Sequence, residues 1–273
     1  METHRSRLAG ALIIATATLW AGAPAAHADT LYGGSGLAKG TSPSSPSVAL
    51  LRRDDGSVSA RAVVSARCRG WVSYSQVVRL TGRTDGVDFS AAGRARLGGR
   101  GPYVRVSLTG AFAPDAVSGT ARVRTPCHNR SAALALRTAS TPAGAPAVPA
   151  PGTLMHGFSS QSAGGFPLPV TLRVATNGRV IASWQALVRC GRGKLPVLDL
   201  TPSRPIRPDG SFGGEESYTI RYRGFSERYR VRFHGRFHAD GATGTLRAWV
   251  QYRDGRHRYV PCRSGNQTWS ARA

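Results

Sequence analysis

Apolar and polar residues alternate with a period of two along most of this chain, which is the pattern of strands that bury one face. The clearest run is Val180, Ala182, Trp184, Ala186, Val188 and Cys190, preceded across an Asn177-Gly178 turn by Val170, Leu172 and Val174. Val58, Ala60, Ala62, Val64, Ala66 and Cys68 keep the same parity after Asp55-Gly56. Asn-Gly and Asp-Gly tolerate the positive φ of tight hairpin turns, so both places predict β-hairpins. A second hairpin follows in each half. Val104, Val106, Leu108 and Phe112 carry its apolar face in the first half. In the second half Tyr218, Ile220 and Tyr222 lead, through a turn around Gly224, to Tyr229, Val231, Phe233 and Phe237. The stretches 33–47 and 157–169 read as extended or loop chain, and 69–87 and 191–210 as variable loops. No segment sustains a 3.6-residue apolar period between caps, so no helix is predicted.

The two halves share more than parity. GAFAPDAVSGTAR at 110–122 and GRFHADGATGTLR at 235–247 have Gly, Phe, Asp, Gly, Thr and Arg at identical positions, which points to a tandem duplication. In each copy a strand ends on Phe112 or Phe237, turns through Asp115 or Asp240 and restarts at Gly-Thr, with Asp and Gly read as turn formers. Thr30-Leu31 and Thr153-Leu154 open the copies, and Leu134 or Trp269 marks a last core strand in each. The expected architecture is all-β: two tandem β-sandwich-like domains, 29–139 and 153–273. Between them the uncharged segment 140–152 holds four prolines and is expected to be an extended spacer that keeps the domains apart.

Arg5 and Arg7, an apolar run from Leu8 to Trp20 and the small residues at Ala26-His27-Ala28 have the order of a secretory signal peptide over 1–28, cleaved after Ala28. The expected location is therefore extracellular, with no transmembrane segment in the mature chain. Four cysteines fall two to a half, and an exported chain meets an oxidising compartment. Of the three possible connectivities, Cys68 with Cys127 and Cys190 with Cys262 is the one that repeats with the duplication. Neither pair has the close spacing of a zinc site.

The net charge is +23, carried by 37 basic residues of which only Lys39 and Lys194 are lysine. Two readings of it stand. A basic surface favours nucleic acid, anionic envelope polymers or anionic headgroups. An Arg-, Ala- and Gly-rich chain poor in Lys is also what a GC-rich genome encodes, whatever its product does. The charge is shared between the halves, about +11 in 30–139 and +12 in 153–273, so neither is a dedicated basic arm.

Several of these features together resemble a known family. The run Gly157 to Gln161, the turn Asn177-Gly178-Arg179-Val180, a core cysteine, the GxFxxDxxxGTxR hairpin and the terminal Cys262, Trp269 and Ala271 are similar to an uncharacterised secreted, disulfide-containing β-domain of high-GC Gram-positive bacteria. The resemblance covers the second half nearly end to end, while the first half lacks the Ser-Gln run and the terminal Trp. It implies secretion, a β-domain and an intra-domain disulfide, and it carries no active site with it.

No catalytic constellation emerges from the residues, so the chain is read as a non-enzyme with no cofactor and no metal. His234 and His238 share a strand face but stand roughly 13 Å apart along it, too far for one ion. Glu215 and Glu216 are adjacent and point to opposite faces, a poor acid/base pair. Asn129 and Asn266 begin glycosylation sequons, read as coincidence in a bacterial chain. The candidate site is a basic strand face formed by Arg228, Arg230, Arg232, His234 and Arg236, with Arg221 and Arg223 on the neighbouring strand. Two function classes follow. One is a secreted, non-catalytic tandem β-protein that binds anionic envelope or extracellular polymers through this face, with nucleic acid not excluded as the polyanion. The other is a structural or spacer protein of the envelope with no specific ligand.

Overall fold

A run of β1 (Thr30–Ser35), β2 (Ser47–Arg52), β3 (Ser57–Ala66), β4 (Tyr74–Thr84), β5 (Asp88–Arg96), β6 (Tyr103–Phe112), β7 (Ala116–Arg124) and β8 (Asn129–Thr138) forms the first sheet. The second holds β9 (Leu154–Ala163), β10 (Phe166–Val174), β11 (Arg179–Cys190), β12 (Gly193–Pro205), β13 (Ser211–Tyr222), β14 (Phe225–His238), β15 (Gly241–Arg253), β16 (Tyr259–Arg263) and β17 (Gln267–Arg272). These come from a computed structural model that describes residues 29–35, 46–66, 74–96, 101–191, 193–222, 225–253 and 259–273. Residues 1–28, expected to be a leader, Cys68, Arg223 and the turn expected around Gly224 lie outside the described residues. The described residues are all-β and contain no helix, hence none long and apolar enough to cross a membrane.

The first sheet closes. Its strands follow one another in chain order, and β1 pairs with β8 through Tyr32 to Thr138 and Gly33 to Arg137. The expected sandwich is therefore an eight-stranded barrel. Alternation cannot separate the two, because each gives every strand one apolar face. The stretches read as loops contain β4 and β12. β12 carries Pro196 and Pro202, which mimic loop composition but are tolerated because β12 ends the strand path of its sheet.

The second sheet runs β12-β11-β10-β9-β17-β15-β14-β13, which matches the first strand for strand. It differs in the added β16, which pairs with β11 and β15, and at one seam. In the barrel, β4 and β5 pair over Thr81–Thr84 and Phe89–Ala92, where a Cβ on Gly82 or on Gly93 would strike the opposite backbone. Cross-strand register puts Arg204 where Gly82 stands and Glu216 where Gly93 stands. These larger side chains meet as an ion pair at 3.5 Å, and β12 and β13 remain unpaired ends of the path.

Parity-predicted residues such as Val58, Val106, Trp184 and Phe233 lie in the interiors, joined by Tyr32, Phe89 and Phe212, which alternation had not singled out. Tyr32, Phe89 and Phe112 cluster in the barrel, and Trp184, Phe212, Phe233, Phe237 and Trp269 in the second unit. The Phe233 and Trp269 rings stack at 4.9 Å. The repeated hairpins are β6–β7 and β14–β15, but their Gly119 and Gly244 are not turn formers. They lie inside strands opposite Gly110 and Gly235, and in the second unit a Cβ on either glycine would collide with the Trp269 indole. Clearance for a core ring explains the Gly there.

The units do not stand apart. Gly33, Ala49, Arg61 and Val63 carry outward parity on the barrel, and the last three are buried. A Cβ on Gly33 would strike the Phe158 ring, and one on Gly34 would crowd His156, so the glycines let β1 lie against β9. Arg61 Nη1 donates to Gln185 Oε1 at 2.8 Å across this contact, and His156 Nδ1 meets Thr171 Oγ1 at 3.1 Å. The proline-rich segment is docked too. The amides of Ala143 and Gly144 donate to the Asp240 carboxylate, Ala147 N donates to Phe237 O and Ala239 N to Ala145 O. Asp240 is thus an anchor for the connecting segment, which does not act as a free spacer.

Candidate anion-binding face

Along β14, Arg228, Arg230, Arg232, His234 and Arg236 are exposed, while Val231, Phe233 and Phe237 are buried on the other face. Alternation dictates that much. Pairing with β13 then changes the electrostatics. Glu215 faces Arg232 in the register, bonding it at 2.7 Å and also bonding Arg230, and Asp209 takes Arg236 at 2.9 Å. Hydrogen bonds from Arg230 and Arg232 hold the Glu215 carboxyl below its ordinary range. Asp209 is lowered chiefly by Ser211, then by Arg236. His234 is lowered by partial burial and by Arg232 and Arg207 beside it, and so favours its neutral form. Arg221 is exposed near the far end of β13. The expected unbroken basic row is therefore interleaved with acids, and three of its guanidiniums are already paired. His238 is occupied as well, between Gly144 O and Thr243 Oγ1.

A second basic row crosses the strands at right angles to the first. Its origin is local. Pro167 and Pro169 cannot donate to a ladder, and the β10–β11 pairing stops at Val170 and Trp184. The freed end of β11 pairs with β16 instead, Arg189 against Arg263 and Cys190 against Cys262. The Cys190–Cys262 disulfide clamps this register from the inner face, with Cα atoms 4.3 Å apart. Cys127 is disulfide-bonded too, and its expected partner Cys68 lies outside the described residues. Gln161 fills the gap left by β10: Leu187 N donates to its Oε1 at 2.9 Å and its Nε2 donates to Leu187 O at 3.0 Å.

Direct cross-strand neighbours on the outer face are consequently Lys194, Arg189, Arg263, Trp249 and Arg230, on β12, β11, β16, β15 and β14. Five strands at their usual spacing make a row of roughly 20 Å. Among the described residues, no carboxylate lies within ion-pair distance of Lys194, Arg189 or Arg263. Like charges placed directly opposite destabilise a sheet, so the trio is held there by the disulfide and the flanking core. Trp249 lies under the Arg247 and Arg230 guanidiniums at 4.3 and 5.4 Å, and Tyr259 under Arg228 at 4.9 Å.

Two adjacent concavities follow the row. A cleft of about 550 Å³ is lined by Gln161, Ser162, Arg189, Lys194 and Arg263, and a groove of about 440 Å³ by Arg228, Arg230, Trp249 and Gln251. Pro261 and Arg263 border both, making one trough. Arg189, Lys194, Arg263, Arg247 and Trp249 were not among the residues singled out by strand parity. The available signal was the basic residue beside each cysteine, Arg189 before Cys190 and Arg263 after Cys262. The first unit offers no such row on β6, whose outward residues include Arg105, Ser107 and Thr109, while Arg94 and Arg96 of β5 stack on Tyr103. Among the described residues no three His, Cys, Asp or Glu side chains gather as a metal site. No known family model, curated protein or solved structure matches the chain.

Proposed function

We propose that this chain is an exported, non-catalytic protein of two duplicated β units whose second unit holds an anionic envelope or extracellular polymer along the trough. The observation that carries the reading is the trio Lys194, Arg189 and Arg263, which meets no carboxylate among the described residues and lies beside a strand whose Arg230, Arg232 and Arg236 are paired with acids. The leader-like residues 1–28 and a disulfide, which requires a non-reducing compartment, support export. The identical strand order of the two sheets supports the duplication.

Chromatography on heparin and on a purified anionic envelope polymer tests this. A Lys194→Ser/Arg189→Ser/Arg263→Ser chain should elute at clearly lower salt than the parent, and an Arg207→Ser/Arg232→Ser/Arg236→Ser chain, altered outside the trough, should elute close to it. The spacer reading has an observation in its favour, the ion pairing of β14, and predicts that both triple variants shift equally with net charge. Equal shifts would remove the binding proposal.

A further inference from the structure

Resting on that reading, we infer that the cleft between β9, β11 and β16 is a seat for phosphate, so that the polymer held along the trough is a phosphate-bearing chain. The cleft gathers three cations from three strands, Arg189, Lys194 and Arg263, with no carboxylate within ion-pair distance among the described residues. A carboxylate presents its two oxygens in one plane, whereas a phosphate sets its oxygens tetrahedrally, so that donors arriving from three strands can share them and guanidinium forks can match them bidentately. Ser162 on β9 adds a hydroxyl to the lining.

The site is built and not merely crowded. The Arg189 and Arg263 side chains project from residues adjacent to the disulfide, whose bond fixes their strands in register. The Gln161 side chain, tied to Leu187 and to Ser264 O at 3.2 Å, closes the floor where the sheet would otherwise open. The polymer favoured is an envelope poly(alditol phosphate) and not a nucleic acid. Single-strand binders need free aromatic faces for bases, whereas Trp249 and Tyr259 are already stacked against Arg247, Arg230 and Arg228.

Calorimetric titration of the full chain with pyrophosphate at low salt tests the seat. The expected result is saturable one-to-one binding that weakens about tenfold or more in Arg189→Ser and in Arg263→Ser, and changes little in Arg236→Ser, each variant first shown by its thermal transition to be folded. Absence of saturable pyrophosphate binding, or an equal effect of Arg236→Ser, overturns the phosphate seat. If the Lys194/Arg189/Arg263 variant still loses polymer retention in that case, the seat has failed and the broader polymer reading has not. A single-stranded DNA oligonucleotide binding more tightly than poly(glycerol phosphate) of equal charge overturns the choice of polymer.

Discussion

Glu215 lies on β13 opposite Arg232 of β14 and bonds both Arg230 and Arg232, so one carboxylate removes much of the charge that makes the β14 row look basic. Its direction was legible, since alternation sets Glu215 and Glu216 on opposite faces; the register that aims it at those arginines was not. His156 is the other residue whose meaning depends on its surroundings. It is 3% exposed, and burial, with a smaller contribution from Arg137, lowers its pKa to about 4. The unfolded chain titrates this group near 6.5 and so binds more protons than the folded chain between those values. Its contribution to stability is accordingly fully present above about pH 6.5 and is lost as pH falls toward about 4, a change of about 3 kcal/mol. Urea midpoints at pH 7.5 and pH ~4.5 should differ clearly in the parent. In His156→Gln, which does not titrate, that difference should shrink; an unchanged difference would show that other groups produce it.

At the level of elements, the end of β11 is governed by two prolines on one side and one disulfide on the other. Pro167 and Pro169 deny it a partner in β10, and Cys190–Cys262 gives it one in β16. The bond spans 72 residues, a separation for which chain-entropy arguments give about 4 kcal/mol. Replacing Cys190 and Cys262 by Ala should lower the urea midpoint correspondingly, leaving the disulfide of Cys127 as the remaining target of dithiothreitol. A variant as stable as the parent would mean that β16 is held by packing alone. The cysteine parity was visible in sequence, as was the conclusion that the sulfurs face the core. That the opposite face of the same register lines up Arg189 and Arg263 was not visible, because β16 is a five-residue strand whose partners cannot be deduced from its own pattern.

For the whole molecule, the decisive contact is the one between the two units, where Gly33 and Gly34 meet Phe158 and His156, and where Arg61 reaches Gln185. Burial of Arg61 disfavours its charge, and Arg79 nearby adds to the effect, so the polar contact to Gln185 is needed to hold it there. Gly33→Val should force the units apart. Calorimetry is expected to show one transition for the parent and two for this variant; two transitions already in the parent would mean that the interface does not couple them. What the sequence by itself determined was the local geometry: most of the strands, two hairpin turns, which side chains of those strands face inward, and the motif that both halves carry. These follow from a period of two and from turn residues, which need only near neighbours in the chain. The tertiary structure decided closure of the first sheet, the opening of the second at Arg204 and Glu216, the docking of the units, and which arginines are left unpaired. Each of those depends on cross-strand register between residues far apart in sequence, and a one-residue slip in register would send every side chain of a strand to the other face.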